Sequence, residues 1–136
     1  MDDCVFCKII SGQIPAAMLV ETDKVVSFLD INPVNPGHAL VISRRHVRSL
    51  IDMDEAEQNE MISVARRVAA ALVEATGWPD FNILHNAGRS AGQVIDHAHT
   101  HVIPRKSGDG FAFGWRQLRY KQGELEALQA EIKKRL

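Results

Sequence analysis

The stretch Asp96-His97-Ala98-His99-Thr100-His101-Val102-Ile103-Pro104-Arg105 decides how this chain is read. Its apolar residues 102–103 and the proline after them predict a strand over residues 97–103 that stops at Pro104. Side chains alternate along a strand, so His97, His99 and His101 project from one face at intervals of about 6.5–7 Å. Three uses of such a row compete. It can be a polar strand face, a metal site made of imidazoles, or a catalytic row in which one imidazole attacks phosphorus while its neighbours orient it or meet developing charge. A side chain that titrates near pH 6.5 suits the last use.

Outward from this row the chain alternates short β-rich runs with turns. A first helical turn precedes Ser11-Gly12, an edge strand runs over residues 18–21, and Val25, Val26, Phe28 and Leu29 form a strand that ends at Asp30. Asn32-Pro33-Val34-Asn35-Pro36-Gly37 is a loop, because two prolines remove donors and the glycine admits positive φ. Residues 38–43 read as a buried strand and residues 81–85 as another. Between them Met61, Val64, Ala65, Val68, Leu72 and Ala75 recur at helical spacing, with Asp54 and Glu57 spaced as a capping box and Gly77 as the stop. Leu125, Leu128, Ile132 and Leu136 repeat that spacing in the tail, after Phe111, Phe113, Trp115 and Tyr120, and this aromatic segment is expected to pack as core. One antiparallel sheet crossed by a long helix, an α+β arrangement, accommodates these elements.

A chain of 136 residues with 46% hydrophobic content suits one compact domain. The formal net charge of −1 argues against a general nucleic-acid binder, whereas a small nucleotide needs no basic surface. No apolar run approaches the ~20 residues needed to span a bilayer, and Asp2 and Asp3 stand where a leader would carry basic residues. The expectation is a cytoplasmic protein without membrane or nucleic-acid partners.

The only two cysteines form Cys4-Val5-Phe6-Cys7. This spacing supplies half of a tetrahedral zinc site, the alternatives being a redox pair or two ordinary thiols. A redox motif expects a preceding strand, and the three residues before Cys4 weigh against that alternative.

The histidine row resembles the signature of the histidine-triad (HIT) family, His-φ-His-φ-His-φ-φ with φ hydrophobic, and Thr100 is the one imperfect φ. The resemblance extends to Phe28-Leu29-Asp30-Ile31-Asn32-Pro33, Gly37-His38-Ala39-Leu40-Val41-Ile42, Asn86-Ala87-Gly88 and Ala91-Gly92-Gln93 in the family's order, covering most of residues 4–105. It implies a HIT-like α+β fold with an antiparallel sheet of about five strands, one long helix and a C-terminal helix. It also implies a single domain over residues 1–136, with its core in residues 4–105 and an aromatic tail from 106, normally assembled as a homodimer.

The implied activity is that of a purine-nucleotide hydrolase or transferase acting at the α-phosphate of nucleoside phosphoramidates or dinucleoside polyphosphates, through a nucleotidyl intermediate on His99. A nucleotide-binding or scaffold protein with little activity is the alternative. Carried over residue by residue, Asp30 holds the ribose hydroxyls, for which a carboxylate acceptor is suited. Phe6, Ile9, Phe28, Leu29 and Ile31 line the base pocket, and Asn86, Gly92, Gln93 and His101 meet the phosphate oxygens. Val94 stands where many members carry a serine or threonine whose hydroxyl donates to the leaving group. In bacterial-type members a structural zinc is held by a cysteine pair, a histidine after the third strand and the first triad histidine. Those positions are Cys4, Cys7, His46 and His97 here. The C-terminal segment can reach the partner's active site, which gives Trp115 a possible contact there.

Overall fold

The computed structural model describes residues 3–136, so Asp2 lies outside the described residues. Five strands form one antiparallel sheet: β1 (Met18–Glu21), β2 (Val25–Leu29), β3 (Ala39–Ser43), β4 (Asp80–His85) and β5 (His99–Arg105), in the order β1-β2-β3-β5-β4. The Thr22 hydroxyl builds the turn between β1 and β2, accepting from the backbone N–H groups of Lys24 (3.2 Å) and Val25 (3.0 Å).

Both faces of the central strands are covered. Helix α1 (Val5–Ile10) lies over one face and α2 (Glu55–Thr76) over the other. Val25, Ala39, Val41 and Val102 pack with Val64, Val68 and Leu72 of α2, while Val26, Phe28, Leu40 and Ile42 pack with Phe6 of α1. This two-sided burial explains why apolar residues stand at successive positions of β2 and β3, interrupted only by the buried Ser27 and ended by the buried Ser43, instead of alternating with exposed polar ones.

Asp54 and Glu57 form the capping box of α2: Asp54 Oδ1 accepts from Glu57 N–H at 2.8 Å and Glu57 Oε2 accepts from Asp54 N–H at 2.9 Å. The helix ends at Gly77, whose N–H bonds the Val73 carbonyl at 3.0 Å. Gly37, at φ +95°, admits no side chain, since a Cβ there would come within 3.1 Å of Leu72 and 3.2 Å of Pro104.

Two expectations change. The strand of the histidine row runs from His99 to Arg105 and therefore continues through Pro104. Its pairing with β3 ends at Val102, so Pro104 faces a strand, β4, on one side only and no ladder bond is lost for want of its N–H. His97 precedes the strand because it and Ala98 turn toward the chain after β3, where Ala98 N–H bonds the Val47 carbonyl at 2.7 Å. The aromatic tail is not core. Helix α3 (Glu124–Lys133) buries no residue, and Trp115 is 85% exposed, because among the described residues outside the segment only Arg105 stacks on its rings, at Phe111 and Phe113. No helix among the described residues is long and apolar enough to cross a membrane.

Candidate functional site

Alternation along β5 sends Thr100 toward α2, where its hydroxyl donates to Met61 Sδ at 3.2 Å, and His99 and His101 to the α1 face. His97 joins them on that face: the Phe6 ring meets His97 at 5.7 Å and His99 at 5.2 Å between centroids, and His99 and His101 are 5.0 Å apart. The expected row is therefore formed, although only two of its members belong to the strand proper.

Hydrogen bonds to the backbone decide where the ring protons sit. His99 Nδ1 lies 2.6 Å from the His97 carbonyl, and only an N–H can face a carbonyl, so Nδ1 is protonated and Nε2 keeps its lone pair. Burial lowers the pKa of His99, against the opposing pull of the His97 carbonyl and of Asp30, and favours the neutral ring. His38 is arranged the other way round. Its Nδ1 accepts from Val34 N–H at 3.0 Å, which leaves the proton on Nε2, where it is donated to His101 Nδ1 at 2.9 Å. His101 consequently carries its own proton on Nε2. Burial, reinforced by the neighbouring His99 and His38, lowers its pKa to about 4.

Sequence reasoning missed His38 as a site residue. The signal was its position two residues before Leu40, whose register partner is His101, so that His38 and Leu40 share the triad's face. His85 turns to the opposite face and bonds Thr100 Oγ1 at 3.0 Å.

A cleft of about 250 Å³ opens beside the triad, lined by Phe6, Ile9, Phe28, Leu29, Asp30 and Ile31, together with Leu40 and Ile95. All six residues expected around a nucleoside therefore come together. Apart from Asp30 and Asn32 the lining side chains are apolar, which suits a base stacked against hydrocarbon and a ribose at the carboxylate.

The loop between β4 and β5 carries Asn86, Gly92, Gln93 and Val94. Gly92, at φ +93°, leaves room for the Asn86 amide, which a Cβ there would meet at 3.4 Å. Gln93, expected at the phosphates, has its side chain engaged elsewhere. It is buried, with Oε1 accepting from Gly88 N–H (2.8 Å) and Nε2 donating to the carbonyls of Arg48 (2.8 Å) and Ile95 (3.0 Å). The N–H groups of Gly92 and Gln93 bond the Arg89 and Gly88 carbonyls. Of the four, Asn86 and the Val94 N–H make no hydrogen bond among the described residues outside the strands, and the Val94 side chain is 76% exposed.

Cys4, Cys7, His46 and His97 converge with their donor atoms all within 4.8 Å of one another. Cys4 Sγ lies 3.4 Å and Cys7 Sγ 3.7 Å from His97 Nδ1, and Cys7 Sγ lies 3.3 Å from His46 Nδ1. A tetrahedral ion with metal–sulfur bonds of about 2.3 Å and metal–nitrogen bonds of about 2.0–2.1 Å has S···N edges of about 3.6 Å, so the set has the size of a closed Cys₂His₂ shell. His97 Nε2 meets the Ser43 carbonyl at 2.6 Å, which places its proton there and turns the Nδ1 lone pair to the sulfurs, the outer-shell arrangement of a metal-binding histidine. Asp30, His38 and His101 also cluster, but the proton on His38 Nε2 fills the space that a metal ion would need.

The HIT domain family matches residues 11–108 of the chain. The chain belongs to the histidine-triad family. Among HIT relatives, an adenosine 5'-monophosphoramidase of Schizosaccharomyces pombe is 35% identical over 134 residues, 98% of this chain and 98% of that protein. An adenylylsulfatase of Arabidopsis thaliana is 44% identical over 108 residues, covering 79% of this chain and 55% of the longer plant protein. Crystal structures of HIT proteins share the whole fold. One from Bacillus subtilis superposes with a TM-score of 0.91 at 36% identity, over 98% of this chain and 97% of its own. A zinc-bound HIT protein from Mycobacterium smegmatis gives 0.77 at 35% identity, over 99% of both chains.

Proposed function

We propose that this HIT protein is a nucleotide phosphoramidase or related nucleotidyl hydrolase that forms a covalent intermediate on His99. The observation that carries the reading is the neutral His99 ring, its Nδ1–H anchored on the His97 carbonyl at 2.6 Å, beside an apolar cleft that ends in Asp30. Relatives named for adenosine 5'-monophosphoramidase and adenylylsulfatase activity support a purine nucleotide as substrate.

The base lies among Phe6, Ile9, Phe28, Leu29 and Ile31, and Asp30 accepts from the ribose hydroxyls. The Nε2 lone pair of His99 then attacks the α-phosphorus. The N–P bond forms as the bond from phosphorus to the departing half breaks; an amine leaves as the neutral amine, its electron pair taking up a proton from solvent, and a polyphosphate leaves as its anion. His101 Nε2–H, the Asn86 amide and the Val94 N–H meet the charge on the phosphoryl oxygens. Water next attacks phosphorus and releases a proton to solvent, the P–N bond breaks with its electron pair returning to His99 Nε2, and the mononucleotide leaves with the neutral ring restored. If another nucleophile replaces water, the same intermediate serves a nucleotidyltransferase.

Cys4, Cys7, His46 and His97 hold a structural zinc whose closed shell ties α1 to the start of the catalytic strand. The exposed apolar residues of α3, Leu125, Leu128 and Ile132, support assembly as a homodimer. The small net charge fits a protein that binds free nucleotides and no nucleic acid, and a cytoplasmic location accords with such a substrate. The exposed valine at position 94, where a hydroxyl would assist departure of the leaving group, favours the second reading, a nucleotide-binding protein with little turnover.

Intact-protein mass spectrometry after rapid mixing with adenosine phosphoramidate, and separately with a diadenosine polyphosphate, tests the mechanism. A transient adduct of one nucleoside monophosphate on the wild type and none on His99→Ala is expected. Mononucleotide binding without adduct or turnover would move the protein to the second reading.

A further inference from the structure

The chain just beyond β5 closes on itself through a buried ion pair. Asp109, its side chain 3% exposed, accepts from Arg105 Nε at 2.7 Å and Nη2 at 3.2 Å, from Phe111 N–H at 3.1 Å and from Asn35 Nδ2 at 3.1 Å. Arg105 also reaches Asn82 Oδ1 on β4 at 2.7 Å and lies over the Phe111 ring. A carboxylate with this many donors is held as an anion, and the Arg105 guanidinium keeps its pKa far below the usual carboxylate range.

Asn35 joins this clasp to the active site. Its side-chain amide, buried in the proline loop, donates both to Asp109 and to the Pro104 carbonyl at 2.9 Å. Its own carbonyl accepts from His38 N–H at 3.0 Å, and the preceding residue, Val34, sends its N–H to His38 Nδ1. The segment that assigns the proton of His38 is therefore pinned at its middle by a residue whose side-chain bonds all go to the chain after the triad.

We propose that Asn35 and Asp109 are positioning residues that set the ring tautomers of His38 and His101. With the loop pinned, Val34 N–H occupies His38 Nδ1, His38 donates from Nε2, and His101 must present Nε2–H. With the loop released, His38 can carry its proton on Nδ1 and offer a lone pair to His101. His101 then donates backward from Nδ1 and turns a lone pair, not a proton, to whatever lies on its Nε2 side. The consequence for turnover rests on the proposed role of His101 as donor to the phosphoryl oxygens, while the tautomers themselves do not.

Long-range ¹H–¹⁵N spectra of the imidazole rings distinguish the two tautomers directly. In the wild type His38 and His101 should both read as Nε2–H. In Asn35→Ala a population with the proton on Nδ1 should emerge, with kcat down about tenfold, a partial loss of one oxyanion donor, and mononucleotide affinity within about twofold. If Asn35→Ala does not fold, Asp109→Asn, which keeps an oxygen for Asn35 but discards the charge facing Arg105, carries the same expectation at smaller size. Unchanged Nε2–H signals in a folded variant, or mixed tautomers already in the wild type, overturn the proposal. Shifted tautomers with unchanged kcat overturn its link to turnover. A wild type that does not turn over refutes the catalytic reading, yet the spectra still decide the positioning claim.

Discussion

The carbonyl oxygen of His97 lies 2.6 Å from Nδ1 of His99, so the residue whose ring faces the two thiols also fixes the proton of the residue proposed to attack phosphorus. His99→Ala should lower kcat by about 10⁴-fold or more, as loss of a nucleophile does, with mononucleotide affinity within a few-fold of wild type. Single-turnover kinetics and calorimetry measure the two effects. Appreciable turnover by the variant would remove His99 from the role.

The pH profile follows from the same rings. Both His99 and His101 act as neutral imidazoles, and burial holds both below the ordinary value of 6.5, His101 at about 4. A group whose folded-state pKa is depressed stays neutral until the pH falls through that lower value, so activity is retained above it and lost on its acid side. kcat/KM should therefore stay level from pH 8 down past 6.5 and fall only in more acidic buffer. An acid limb centred at 6.5 would show that at least one of the two rings is not shielded as the structure places it.

Elemental analysis of purified protein should find about one zinc per chain. Cys7→Ser should lose the metal and lower Tm by roughly 10 °C, about 2–3 kcal/mol at about 4 °C per kcal/mol for a chain of this length. A metal-free wild type as stable as the zinc-replete protein would reduce the four residues to ordinary packing.

What could be read in advance followed local rules. Asp54, Glu57 and Gly77 delimited α2 because capping is written within four residues of each helix end. The two-residue period placed His99 and His101 on one face, which His97 joins from just before the strand. Other features depended on contacts remote in sequence. Pro104 sits inside β5 because pairing with β3 has already ended there, and His38 serves the site because a loop N–H assigns its proton. Gln93 holds its loop together because its amide finds the Arg48 carbonyl, 45 residues away. The apolar period of α3 was read correctly as a helix, whereas the aromatic segment before it was read wrongly as core, since an apolar pattern does not identify what covers it.

Glu57 has two duties and should be the costlier cap residue to lose. Besides closing the capping box it binds Arg45 with both oxygens, at 2.9 and 2.7 Å, from a side chain only 9% exposed. Asp54→Ala should cost about 1 kcal/mol, the ordinary value of an N-cap. Glu57→Ala should cost about 2 kcal/mol, discounted because the Arg45 end is half in solvent. Urea denaturation measures both, and equal losses would mean that the Arg45 pair contributes nothing. Neither residue lies at the cleft, so kcat should not change.

Val94→Ser tests the departure from the family pattern. The Val94 backbone is held by Arg89, whose Nη1 donates to the Val94 carbonyl at 3.1 Å, and its side chain is open to solvent, so a serine enters without repacking. A hydroxyl there helps only if the departing atom needs a proton. Substrates with strongly basic amine or alkoxide leaving groups should therefore turn over up to about tenfold faster, about 1.4 kcal/mol of barrier, whereas a nitrophenolate ester should be unaffected. Steady-state rates across a series graded by leaving-group basicity read this as a change of slope. A uniform change across the series would mean that serine altered binding or loop geometry and donates nothing to the leaving group.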